Sequence, residues 1–155
     1  MKLYLVIDTS GSMSEGGKRF IARGVARFTE QYVRLGYGCA ELVLVLWSDK
    51  ARIVEWDPDQ EIPNEVLESG GSVNFESLLN LIGENPKAKV AIITDGFFSR
   101  DNAKAFKVWR QNLQLDSLRV IKVGADAVPN LKEPYVYSSD DLISAYDGWL
   151  EGGAE

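Results

Sequence analysis

Apolar residues arrive along this chain in two rhythms. Short continuous runs, Leu3-Tyr4-Leu5-Val6-Ile7 and Val90-Ala91-Ile92-Ile93, have the length and β-branched content of strands buried on both faces. Between them, Ile21, Val25, Phe28, Tyr32 and Leu35 recur in steps of four, three, four and three, the period of an amphipathic helix, which Gly36 and Gly38 bring to an end. Glu41 to Trp47 and Arg52 to Trp56 read as two further strands. The short connection Ser48-Asp49-Lys50-Ala51 makes them an antiparallel hairpin, and Asp57-Pro58-Asp59 stops the second. Residues 58–72 hold two prolines, several acids and Gly70-Gly71, which predicts an irregular connection with one short helical turn around Val66.

The second half repeats the alternation. Phe75, Leu78, Leu79 and Ile82 mark the buried face of a helix with Asn74 as its N-cap, and Pro86 separates it from the strand at 90–93. Asp101 is the expected cap of a third helix, on which Phe106, Trp109 and Leu113 share one face. Leu118 to Val123 reads as a strand and Tyr135-Val136-Tyr137 as a short edge strand. Ser139 or Asp140 is the expected cap of a last helix that buries Leu142, Ile143, Tyr146 and Trp149. The reading is one domain over 1–151, followed by a frayed tail, 152–155. Strands alternating with helices imply an α/β fold: a doubly wound, mostly parallel central sheet with helices on both faces and one antiparallel edge strand from the hairpin. Ligands of such sheets bind beyond the carboxyl ends of the strands, near the switch in strand order.

Length and charge narrow the functional classes. A domain of 155 residues buries roughly 70% of the surface its unfolded chain exposes, so no disulfide staple is needed. The single cysteine, Cys39, has no intramolecular partner and reads as a small buried apolar residue. After Met1-Lys2 only five apolar residues precede Asp8, too few for a secretory core or a membrane span, which gives a cytoplasmic expectation. A net charge of −6 argues against nucleic acid and anionic lipid as partners. Lys18, Arg19, Arg23, Arg27 and Arg34 form a basic stripe on the first helix, expected to be a solvated face. With no histidine and one cysteine, His-based catalysis and His ligation of zinc are excluded, and oxygen-rich metal chemistry is what remains.

Such chemistry has a candidate location. Asp8-Thr9-Ser10-Gly11-Ser12 follows the first strand directly, placing a carboxylate and nearby hydroxyls where that strand leaves the sheet; Thr94-Asp95-Gly96 ends the strand at 90–93 in the same way. The first segment also suits a plain turn whose hydroxyls cap the next helix. Asp49 reads as a turn former rather than a ligand. Met13, Phe97 and Phe98 are candidates for an apolar rim around the site or for core packing.

These residues resemble a von Willebrand factor type A (VWA) domain with its metal-ion-dependent adhesion site (MIDAS). Asp8, Ser10 and Ser12 fit the Asp-x-Ser-Gly-Ser signature, Thr94-Asp95-Gly96 fits the last loop, and Trp47-Ser48-Asp49-Lys50-Ala51 resembles the aromatic-Ser-Asp turn between the second and third strands. The resemblance covers nearly the whole chain. Asp8 to Met13, with Gly70-Gly71 ahead of Asn74-Phe75, is most similar to the VWA-like domain of bacterial and phage proteins described as metallopeptidases, although nothing here resembles their separate zinc segment. The resemblance implies a Rossmann-like fold in which Ser10 and Ser12 bind Mg2+ directly while Asp8 and Asp95 act directly or through water. The family threonine of the second loop falls on Ser72 when Gly71-Ser72-Val73-Asn74-Phe75 is aligned from the glycines, and on Val73, which has no side-chain oxygen, when it is aligned from Asn74-Phe75. The expected metal ligands are therefore Asp8, Ser10, Ser12, Ser72 and Asp95.

Mg2+ prefers octahedral oxygen and keeps waters, and Mn2+ accepts the same shell. The leading functional expectation is a monomeric, non-catalytic module whose Mg2+ captures an Asp or Glu of a protein partner. Family resemblance suggests that partner is an AAA+ ATPase of the MoxR kind, or that ATPase's substrate. Two rivals stand beside it. One is a metal-dependent phosphoester hydrolase, against which Ser10 stands where a haloacid-dehalogenase-like site has its second Asp, and no lysine is expected beside the cradle. The other is the same scaffold with a degenerate, metal-free site. No Gly-x-Gly-x-x-Gly or P-loop is present to hold a nucleotide.

Overall fold

The computed structural model describes residues 1–37, 40–68, 70–96, 98–124 and 133–150. Strands β1 (Lys2–Asp8), β2 (Glu41–Trp47), β3 (Ala51–Val54), β4 (Lys89–Thr94), β5 (Leu118–Lys122) and β6 (Val136–Ser138) form one sheet in the order β3-β2-β1-β4-β5-β6. Every pairing is parallel except β2–β3, the hairpin at one edge. Helices α1 (Lys18–Tyr32), α2 (Phe75–Ile82), α3 (Arg100–Asn112) and α4 (Leu142–Tyr146) complete the α/β, doubly wound architecture expected from the alternation.

The central strands read as unbroken apolar runs because both of their faces are covered. Leu3, Leu5 and Ile7 of β1 join Ala22, Val25, Ala26, Tyr146 and Trp149 in the core beneath α1 and α4. Val6, one step out of phase, joins Phe75, Leu78, Phe106 and Trp109 beneath α2 and α3. In that second core the rings of Phe75 and Trp47 meet edge to face at 5.6 Å, and Phe75 lies 5.5 Å from Phe106 and 5.4 Å from Trp109. Each such pair adds about 0.5–1.5 kcal/mol beyond burial.

Several local expectations shift. The buried face of α1 is Lys18, Ala22, Val25, Ala26, Thr29 and Glu30, while Phe28 and Tyr32 pack partly on the core and Ile21 and Leu35 are exposed. The helix is therefore rotated from the stripe read through Ile21 and Leu35, because small residues let it lie closest to the sheet on the Ala22–Ala26 side. Its end passes through a π turn, Val33–Tyr37. Ser99 rather than Asp101 caps α3, its side chain accepting the Asn102 N–H. Asp141 precedes α4, a single short turn on which Ile143 is exposed while Tyr146 is buried. A 3₁₀ turn at Asn64–Leu67 buries Val66, and Asn74 caps α2 as expected. The tail at 152–155, Cys39, Gly38 and Phe97 lie outside the described residues.

Candidate functional site

The sheet order switches at β1, which sends its chain to β2 on one side while β4 lies on the other, so the carboxyl ends of β1 and β4 flank a crevice. Their register pairs Ile7 with Ile93 and so brings Asp8 level with Thr94. Asp8 is 1% exposed; its Oδ1 accepts the Ser10 N–H at 2.8 Å and its Oδ2 accepts the Thr94 hydroxyl at 2.6 Å. Burial pushes the Asp8 carboxyl above its ordinary range; hydrogen bonds from Ser10 and Thr94 oppose the rise, and the nearby charge of Asp95 adds to it. Thr94 in turn accepts the Gly96 N–H at 3.0 Å, fixing the turn that presents Asp95.

Ser10 and Ser12 stand on the loop after β1, their hydroxyl oxygens 3.4 Å apart. A 3₁₀ turn, Gly11–Ser14, buries Met13 in the core instead of at a rim. Phe98 likewise packs inward, 5.8 Å from Trp47. Asp49 stays in the exposed hairpin turn, where the Ser48 hydroxyl donates to it at 3.1 Å.

The second loop is brought alongside by backbone bonding. Gly11 N–H donates to Gly71 O at 2.8 Å and Gly70 N–H donates to Thr9 O at 2.9 Å. Gly71 has φ of 70°, a left-handed conformation that costs a residue with a Cβ and suits glycine. Beyond it, Ser72 is exposed and Val73 is 5% exposed in the core, so the two residues competing for the threonine position face opposite ways. Trp47 donates its indole N–H to Asn74 O at 2.9 Å. Asn102 of α3 accepts the Phe75 N–H and donates to Val73 O, both at 2.8 Å. Sequence reading had no signal for Asn102, since its partners are backbone atoms of a loop 27 to 29 residues away.

Lys18 is the largest departure from expectation. It is 1% exposed, not part of a solvated stripe, and its Nζ lies 3.1 Å from Oδ2 of the fully buried Asp95 and 3.4 Å from Ser12 O. A lysine does therefore neighbour the cradle, contrary to the reading of the sequence. The signal was present: Lys18 stands four residues before Ala22 and seven before Val25, at the head of the buried face. The other cations of the stripe serve the connection after the hairpin. Arg19 donates to Leu67 O, Arg23 to Glu61, and Arg27 to Pro58 O and Gln60 O, while Arg34 pairs with Glu30.

Among the described residues no three Asp, Glu, Cys or His side chains converge, so a cation here would depend on hydroxyl oxygens. Adjacent oxygens of an octahedral shell with bonds of about 2.0–2.1 Å stand about 2.9 Å apart. The Ser10 and Ser12 hydroxyl oxygens, 3.4 Å apart, stand about half an ångström wider, a gap that a small side-chain rotation closes, and two buried carboxylates lie beside them, so the donor set fits a small hard cation.

No protein-family model matches the sequence, and no curated protein matches it. Solved structures share the fold. A von Willebrand factor type A protein from Catenulispora acidiphila superposes with a TM-score of 0.59 at 18% identity, over 96% of this chain and 41% of its own. The manganese-loaded TRAP protein of Plasmodium vivax gives 0.61 at 16% identity, over 97% of this chain and 73% of its own. Proximal thread matrix protein 1 from mussel byssus, with a zinc-occupied MIDAS motif, gives 0.55 at 14% identity, over 96% and 44%. The chain thus has the Rossmann-like fold of VWA domains, and it spans about two fifths of the length of the Catenulispora structure. Among the described residues no helix is long and apolar enough to cross a membrane.

Proposed function

We propose that this chain is a metal-dependent protein-interaction module, one domain over 1–151 and monomeric on its own, whose site is Asp8, Ser10, Ser12, Ser72 and Asp95. The observation that carries the reading is the β1–β4 register, which sets Asp8 and Asp95 within electrostatic reach of one another beside the paired Ser10 and Ser12 hydroxyls. Bound there, Mg2+ or Mn2+ would reverse the local charge and offer a coordination position to an outside carboxylate. Asp8 is oriented by Thr94 and Ser10, Asp95 by the turn at Gly96, and Ser72 is the second-loop residue with an oxygen on the solvent side. Manganese and zinc in two structures of the same fold support a divalent ion.

The partner is a protein offering an Asp or Glu; the resemblance to stand-alone VWA domains favours an AAA+ ATPase of the MoxR kind or its substrate. The hydrolase reading regains a lysine in Lys18, but that ammonium is buried against Asp95 and Ser10 still holds the position of a second Asp. The test uses Mg2+ and Mn2+ as probes in thermal unfolding, with binding of a short Asp-containing peptide measured with metal and with chelator. Stabilisation and peptide binding should both require metal and weaken in Ser12→Ala and Asp95→Ala. Peptide binding unchanged by chelator would favour the metal-free scaffold, and turnover of a phosphate ester would favour the hydrolase.

A further inference from the structure

Lys18 occupies a position that nothing in its own helix favours. It is the first residue of α1, whose first turn, Lys18-Arg19-Phe20-Ile21, contains no acid, so its charge stands at the end of the helix where the backbone dipole repels a cation. It is also 1% exposed, and burying an ammonium is costly unless a counter-charge meets it. Asp95, 0% exposed and 3.1 Å away, supplies that charge. The carboxylate that Lys18 meets is the one that the proposed metal site takes from the turn after β4.

We infer that the Lys18 ammonium is the resident counter-cation of Asp95 and that a divalent ion and Lys18 are mutually exclusive partners of that carboxylate. The inference rests on the reading of Asp8, Ser10, Ser12 and Asp95 as a metal site, and deepens it. In the metal-free protein Lys18 neutralises Asp95, so the crevice does not hold two uncompensated carboxylates and the fold survives without metal. A divalent ion that engages Asp95 brings two positive charges into the space beside the ammonium, and their repulsion in a weakly screened site drives Lys18 away from the carboxylate. Metal affinity is lowered by the strength of the contact that must be given up, and occupancy becomes conditional on cation concentration or on a partner carboxylate that adds to the metal's binding. The Lys18 side chain, released, becomes a cation at the rim of the loaded site.

Two measurements test this. Acylation of amines by a water-soluble reagent, read at Lys18 by mass spectrometry on the wild-type protein, should be slow in chelator and about tenfold or more faster in saturating Mg2+. Mn2+ binding followed by electron paramagnetic resonance should be about tenfold or more tighter in Lys18→Met than in wild type, with Ser12→Ala weaker than both. Mn2+ binding that Ser12→Ala weakens but Lys18→Met does not tighten, with Lys18 equally protected in chelator and Mg2+, would overturn the inference and leave the metal site standing. No Mn2+ binding by either wild type or Lys18→Met would overturn both. If Lys18→Met folds neither in chelator nor in Mn2+, the labelling contrast on the wild type decides alone, and an unchanged rate sinks the proposal.

Discussion

Among the polar side chains that helix α1 buries, Thr29 and Lys18 are held in opposite ways. Near its end, the Thr29 hydroxyl lies 2.6 Å from the Tyr146 hydroxyl and donates to Val25 O at 2.8 Å, a neutral pair closed on itself. Tyr146 is walled by rings, with Phe28 and Trp149 each 6.2 Å away. At the other end, Lys18 meets Asp95 as a full charge pair where the strands stop. Hydroxyls can be buried cheaply once bonded, whereas an ion pair repays its desolvation only when both partners stay. The Thr29 pair is intelligible as packing. The Lys18 pair is expensive for packing, and its place at the carboxyl ends of β1 and β4 is what ties it to the site.

The largest way to break this contrast is Lys18→Met in chelator, which takes the ammonium away from the buried Asp95 carboxylate and should cost about 3–5 kcal/mol in urea unfolding. Adding Asp95→Asn should recover most of the loss, since the charge is then gone from both sides; a single-variant cost under about 1 kcal/mol would show the pair to be incidental.

Alkaline pH tests the neutral pair next. Burial pushes Tyr146 up to about 12, against the pull of its hydrogen bond with Thr29. The folded protein keeps this proton after the unfolded chain has released its own near pH 10, so stability falls as pH climbs from about 10 towards 12, by about 3 kcal/mol in all. Tyr146→Phe should remove that slope, seen as urea midpoints that no longer fall with wild type across this window.

A smaller effect compares the two threonines. Thr94→Val deprives Asp8 Oδ2 of its 2.6 Å donor and should cost about 1–3 kcal/mol in chelator. Thr29→Val strands only a phenol and should cost about 1 kcal/mol. Equal losses by thermal or urea unfolding would remove the distinction. The smallest is Ser72→Ala: exposed, it should leave metal-free stability within about 0.5 kcal/mol of wild type while weakening Mn2+ binding in a titration.

What the sequence disclosed follows from how each residue is held. Strand positions were legible because β1, β2 and β4 are buried on both faces and their apolar runs are unbroken. The antiparallel edge was legible from the length of the hairpin connection. The level ends of β1 and β4, at which Asp8 and Asp95 stand, were legible because a parallel sheet puts the ends of neighbouring strands on one rim. The rotation of α1 was not, since Ala22 and Ala26 carry less hydrophobic signal than Ile21 and Leu35 yet permit the closest approach. Lys18 shares the spacing of Ala22 and Val25 but carries a charge, which favours a solvent-facing reading where tertiary pairing decides otherwise. Asn102 was hidden because a side chain that serves distant backbone leaves no local pattern.

The β1–β4 ladder also sets an order of events as the chain folds. Asp8 and Thr94 are 86 residues apart in sequence, and β1 is the strand on which both halves of the sheet grow. The strand bearing Asp8 leaves the ribosome long before its neighbour does, and pairing over such separations is slow because loop closure precedes its reward. Until β4 docks, Lys18 has no Asp95 to meet, and the first third of the polypeptide gains nothing from the residues that later line the crevice. On the proposed reading, the ion site would be complete only once synthesis has passed residue 95, so a shorter nascent or truncated chain would offer a partner no premature hook.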